Sequence, residues 1–186
     1  MTEVRNGIGG RRRDAPVRGR RAGDAIPGGV SAFLVEPSPA LARRFLRDGQ
    51  QLDETHFFTT RIRDNGRNEA DRRRQTTYLD ALAAVGAVIH EGHYLEKKRT
   101  CRNCGASWAD YEEKMTDVNI ATRILGDAFD DRFDTALLLS GDSDLTTPIR
   151  QVRARFPGKR LIVLLPPGRH SKQLKAVAHG YLSIGE

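Results

Sequence analysis

The chain has 186 residues, is 38% hydrophobic and carries a net charge of +7, enough for one globular domain with an appendage. No apolar run approaches the ~20 residues that span a bilayer, and the N-terminus lacks the apolar stretch of a secretory signal, so a cytoplasmic protein is expected. The charge is uneven: residues 1–30 hold seven arginines and three acids, +4 of the total. A basic balance suits a nucleic-acid partner, since neutralised phosphates release counterions. The same composition also describes a solvated arm.

From Met1 to Gly29 the chain shows Gly, Arg, Pro and Asp without apolar periodicity and reads as a disordered basic segment, with the domain spanning 30–186. Val30–Val35 predicts a short strand. Ser38-Pro39 opens a helix through Leu41, Phe45 and Leu46, because Pro is tolerated at the first helical position. Thr55–Ile62 has the β-branched and aromatic content of a strand. A helix through Tyr78, Leu79, Leu82 and Val85 follows, ended by Gly86, and Ala87–His90 makes a short strand. Arg72, Arg73 and Arg74 read as a solvated face of that helix or as contacts to RNA backbone. Residues 91–109 form a polar insert with no clear pattern. A helix over Thr116–Phe129 places Val118, Ala121, Leu125 and Ala128 or Phe129 on one face. Thr135–Ser140 and Leu161–Leu165 are continuous apolar runs, as in strands buried on both faces of a parallel sheet. Thr147-Pro148 starts a helix between them, and Ser171–Tyr181 predicts a final one. Strands alternating with helices predict an α/β fold, a parallel sheet covered by helices on both faces.

In such sheets ligands bind beyond the carboxyl ends of the strands. Ser140-Gly141-Asp142-Ser143-Asp144 follows the first buried run, and two carboxylates so close repel unless a cation or proton separates them. Hard Mg²⁺ takes a few carboxylate oxygens and keeps waters for phosphate. An Asx-turn with a helix cap would use the same residues. Thr147-Pro148 already serves the next helix, however, which leaves both aspartates without a structural task. Asp117, at the start of the preceding helix, is a third acid; it too has a capping role open to it, one that Thr116 can fill.

The segment Glu113-Lys114-Met115-Thr116-Asp117-Val118-Asn119 followed by Asp134-Thr135-Ala136-Leu137-Leu138-Leu139-Ser140-Gly141-Asp142-Ser143-Asp144-Leu145 resembles the NYN domain family of PIN-like nucleases. The resemblance runs from about residue 38 to 184. It implies a three-layer PIN-like sheet and Asp117, Asp142 and Asp144 as catalytic, metal-binding acids for Mg²⁺ (or Mn²⁺). The implied activity is metal-dependent endonucleolytic hydrolysis of an RNA phosphodiester. The family's first strand normally ends in Asp-Gly-x-Asn. Nothing before Ser38 matches, so the chain is expected to lack that strand, with Val30–Val35 filling part of its place and Glu36 the one acid at a strand end. A catalytically inactive RNA- or protein-binding module is therefore an alternative. A phosphatase or Toprim-like enzyme is a second, disfavoured because haloacid dehalogenase phosphatases carry Asp-x-Asp on the first strand.

His90 and His93 precede Cys101-x-x-Cys104, and these ligand types predict a structural Zn²⁺ site of Cys101, Cys104, His93 and, as doubtful fourth member, His90. Two reduced thiols in a loop are the alternative. Arg169, His170 and Ser171, with Ser140, are candidate phosphate-binding residues at the same sheet edge; each also fits an ordinary loop, with Ser171 as a helix cap. His56 and His179 suggest no chemistry. RNA is the expected partner, with no membrane and no small-molecule cofactor; a homo-oligomer is left open.

Overall fold

The computed structural model describes residues 29–34 and 39–184. The expectations for the basic segment up to residue 28 and for Glu36 lie outside those residues. Gly29, assigned to that segment from its composition, instead opens the first strand.

The main sheet has six strands, all parallel, in the order β3-β2-β1-β6-β7-β8. They are β1 (Gly29–Leu34), β2 (Gln51–Thr59), β3 (Ala87–Glu91), β6 (Thr135–Leu139), β7 (Arg160–Leu165) and β8 (Gly180–Ser183). Between β3 and the next helix stands a separate antiparallel pair, β4 (His93–Thr100) and β5 (Ser107–Lys114). The helices are α1 (Pro39–Arg44), α2 (Glu69–Ala84), α3 (Thr116–Phe129), α4 (Thr146–Arg155) and α5 (Lys172–Val177).

The strand order follows from burial. β1, β6 and most of β7 are apolar at successive positions and buried on both faces, so they occupy the centre. One face packs Phe33, Phe58, Leu138 and Val163 against Ile120 and Ile124 of α3, Ile149 and Val152 of α4, and Leu174 of α5. The other packs Ala32, Leu34, Phe57 and Leu139 against Ala42 of α1 and Leu79 and Leu82 of α2. This is the expected three-layer arrangement.

Three expectations are corrected. Val30–Val35 is no partial filler: Gly29–Leu34 is a full central strand, hydrogen-bonded in parallel to β2 and β6. Its apolar VSAFL core suits a position buried from both sides, and it fills the place between β2 and β6. The patternless insert is a β-hairpin of eight registered pairs, from His93↔Lys114 to Thr100↔Ser107. Its alternation was hidden because both faces are largely exposed and polar. The last helix stops at Val177; Ala178 turns extended, and Gly180–Ser183 pairs with β7 as an edge strand. Sheet pairing overrides the weak helical pattern there, where Gly180 lets Ile162 approach closely.

Candidate functional site

The chain lays β1, β2 and β3 outward in one direction, then returns to place β6, β7 and β8 on the other side of β1. The direction reverses between β1 and β6, and beyond the carboxyl ends of such a pair lies the crevice where open α/β sheets bind ligands. β6 ends at Leu139, registered with Leu34 at the end of β1. Ser140 to Asp144 therefore emerges into that crevice.

Local bonds hold this turn. The Ser140 hydroxyl accepts from the Asp142 N–H at 3.1 Å, and the Asp142 carboxylate accepts from the Asp144 N–H at 2.9 Å. Asp142 thus caps the 3-10 turn Ser143–Leu145. The sequence reading left Asp142 without a structural task; it has one, while its second carboxylate oxygen stays available. Gly141 is required because a Cβ there would stand 2.8 Å from the Cβ of Arg169. The loop after β7 is thereby pressed against the acidic turn.

Asp117 reaches the same place from α3. The helix begins after Met115, whose φ of 80° turns the chain sharply out of β5. Neither Thr116 nor Asp117 caps this helix; the Thr116 hydroxyl instead donates to Glu113. Oxygens of Asp117, Asp142 and Asp144 all lie within 4.8 Å of one another. Burial, and then the negative charges of Asp142, Asp144 and Glu113, hold the Asp117 carboxyl above its ordinary pKa. Three converging carboxylates with no cation among them fit the donor set of a hard divalent ion.

A cleft of about 440 Å³ opens over these groups, lined by Glu113, Lys114, Met115, Asp117, Ser140, Gly141, Asp142, Pro166 and Arg169 among others. Of the predicted phosphate contacts, Ser140 and Arg169 line it. Arg169 has no carboxylate partner among the described residues, and the stem of its side chain lies against Gly141. His170 is exposed on the same loop but is not part of the lining. Ser171 is buried and caps α5, accepting from the Leu174 N–H at 3.2 Å. Glu113, for which the sequence suggests no role, lies at the edge of the cleft. Its carboxylate accepts from Thr60 at 2.7 Å and from Thr116, tying the hairpin base to the cleft. Its place in the same Glu-Lys-x-x-Asp segment as Asp117 was the available signal.

The predicted Cys₂His₂ zinc site does not assemble. Cys101 and Cys104 sit in the turn at the far end of the hairpin, whereas His93 is at its base, about 23 Å away along the strand. His90 is in β3, stacked on Phe58 with ring centroids 4.5 Å apart and bonded to His56 at 3.1 Å. Arg72, Arg73 and Arg74 are each paired with a neighbouring acid (Asp64, Glu69 and Asp71), as a solvated helix face would have them.

His56, given no role from sequence, is wholly buried beneath α3. Its Nε2 is 3.1 Å from Glu54 and 3.5 Å from Asp127, and Arg123 and Arg132 ring the same carboxylates. Ligand atoms of Glu54, His56 and Asp127 lie within 4.8 Å of one another, but both carboxylates are already paired with Arg123 and Arg132 as an ion-pair network. Burial first, and the Arg123 charge second, depress the His56 pKa to about 4.

A parallel six-stranded sheet with three acids at its switch point defines a PIN-like domain. The sequence profile of the NYN domain family matches residues 36–185, and the chain belongs to that family. Membership supports a nuclease or RNA-related role at family level. No curated protein matches the sequence significantly. Among solved structures, a protein of unknown function, VPA0982 from Vibrio parahaemolyticus, is similar, with a TM-score of 0.56 and 17% identity. The match covers 88% of this chain and 97% of that one, a likeness of fold alone. Among the described residues no helix is long and apolar enough to cross a membrane.

Proposed function

We propose that this NYN domain is a Mg²⁺- or Mn²⁺-dependent endoribonuclease acting at the crevice beyond β1 and β6. The observation that carries the reading is the convergence of Asp117, Asp142 and Asp144 within 4.8 Å at the switch point. Asp117, Asp142 and Asp144 would hold the cation, which when bound supplies positive charge to a phosphate and acidifies a water. Arg169, pressed on Gly141, would take a non-bridging phosphate oxygen, and the Ser140 hydroxyl keeps the acidic turn in shape. The exposed His170 lies one residue outside this group and extends the contact along the RNA backbone.

The test is cleavage of a 5′-labelled single-stranded RNA with Mg²⁺, with Mn²⁺ and with chelator, for the natural chain and Asp142→Asn. Metal-dependent cleavage lost by at least about 10²-fold in the variant is expected for a group acting on transition-state charge. A specific observation favours the alternative: the described part of β1 ends in Phe33-Leu34 and brings no acid to the crevice. RNA retained without any cleavage would make the domain a binding module.

A further inference from the structure

The hairpin tip holds the two cysteines in a compact turn. The Cys101 N–H donates to the Ala106 carbonyl at 2.8 Å, and the Gly105 N–H to the Cys101 carbonyl at 3.0 Å. Gly105 takes a φ of 70°, which closes the turn directly after Cys104. Backbone N–H groups of Cys104 and Asn103 are directed at the Cys101 sulfur. A Cys-x-x-Cys-Gly turn between two antiparallel strands therefore presents two sulfurs on one side, with amides already placed to stabilise negative charge on one of them. Cys104 is exposed and Cys101 half-buried, and no disulfide joins them.

Two thiolates are half of the closed four-ligand set that structural zinc takes. The chain cannot complete it with its own sulfur or nitrogen ligands. It has two cysteines and five histidines, and all seven lie among the described residues. His93 is at the opposite end of the hairpin, His90 and His56 bond each other under α3, the His179 Nδ1 accepts from the Leu161 N–H, and His170 is on the loop after β7. None joins Cys101 and Cys104 in a group of three ligand atoms. The segments outside the description contain neither Cys nor His.

We infer that Cys101 and Cys104 form a zinc half-site that is completed by the same pair from a second copy of this chain. Two identical tips related by a two-fold axis supply four sulfurs, the isologous arrangement commonest in homodimers. Charge supports this occupant. Zinc with four thiolates carries a net charge of −2, and each tip brings Arg102, exposed and without a carboxylate partner among the described residues, to offset it. Trp108, registered with Arg99 two pairs from the turn, is 53% exposed and offers apolar surface beside the contact. The hairpin stands apart from the main sheet, so two tips can meet without closing the acidic cleft.

The experiment is zinc analysis and sedimentation of the full chain, expressed with zinc supplied and kept reduced, beside Cys101→Ser/Cys104→Ser. The expected result is one zinc per two chains and twice the 20.7 kDa mass of one chain. Chelator and the double substitution should each release the metal and halve the mass, with the far-ultraviolet circular dichroism of the α/β domain kept. Cobalt in place of zinc should show the intense thiolate charge-transfer absorption of a four-sulfur site. A monomer with one zinc per chain, a dimer that survives removal of the metal, or reduced protein that takes up no zinc would each overturn the inference. If the double variant fails to fold, the chelator and cobalt measurements on the natural chain decide the question.

Discussion

Asp117 sits half-buried among other acids. Burial and its acidic neighbours raise its pKa, so in the metal-free fold its ionisation is disfavoured relative to the unfolded chain. The sign follows: this group binds a proton more tightly when folded, and its contribution weakens as pH rises through the raised pKa. Asp117→Asn should therefore raise the melting temperature of the metal-free protein at neutral pH, as scanning calorimetry would show. Mg²⁺ at about 100 times its dissociation constant should raise the natural chain's melting temperature by about 5–10 °C and leave the variant's nearly unchanged. Magnesium affinity should fall on acidification through the same raised pKa, since the proton and the cation compete for one carboxylate. A variant that keeps the full magnesium response would remove Asp117 from the site. Gly141 gives a second residue-scale prediction. In Gly141→Ala the new methyl group meets Arg169, and the loop after β7 must shift. A stability loss of about 1–3 kcal/mol is expected, with cleavage falling about 10²-fold for a displacement near 1 Å. Unaltered cleavage would mean that the loop's position against the acids is unimportant.

At the scale of elements, the parts of the fold legible in the sequence were those with one dominant signal. Thr116–Phe129 and the buried runs TALLL and RLIVLL appear where expected, but the helix turns a different face to the core: Ile120, Ile124 and Ala128 are buried, while Val118 and Phe129 are exposed. The hairpin was invisible because a two-stranded arm with both faces in water needs no apolar alternation, and its register rests on cross-strand pairs such as Arg99–Asp110. β8 was concealed by the α5 pattern next to it. The importance of β1 could not be judged from six residues in isolation, since only the topology shows them between β2 and β6. Phe33 is fully buried and contacts both His56 and Phe133, so Phe33→Ala should cost about 3–5 kcal/mol in urea unfolding. A loss below 1 kcal/mol would mean that β1 is not integral to the core. The buried cluster on β2 and α3 predicts a pH response. His56 is held neutral with a pKa near 4, against 6.5 when unfolded, so unfolding takes up protons as pH falls from 6.5 to about 4. Stability should decline across that window. Asp127, raised chiefly by burial, opposes it, while Glu54, lowered by Arg132 against the effect of burial, adds to it. His56→Gln should flatten or invert the slope; an unchanged slope would assign the effect to other groups.

For the molecule as a whole, the sheet's reversal between β1 and β6 is what turns scattered acids into a site. Asp117 and Asp142 are 25 positions apart in sequence, and nothing in their local context states that a helix start and a strand end share one crevice. The family resemblance conveyed that convergence, while the residues alone left caps and turns open. The cysteine pair shows the reverse case: ligand types and spacing were visible, but His93 lies at the opposite end of the hairpin and His90 in β3. The central claim is that the three acids form one divalent-cation site, and the most direct measurement is the anomalous difference map of a crystal soaked in Mn²⁺. A single peak should lie beyond the carboxyl end of β6, bonded to oxygens of Asp117, Asp142 and Asp144 at about 2.0–2.2 Å, near the distances of a small octahedral cation. Manganese bound elsewhere, or Asp117 turned away from an occupied Asp142–Asp144 pair, would contradict it.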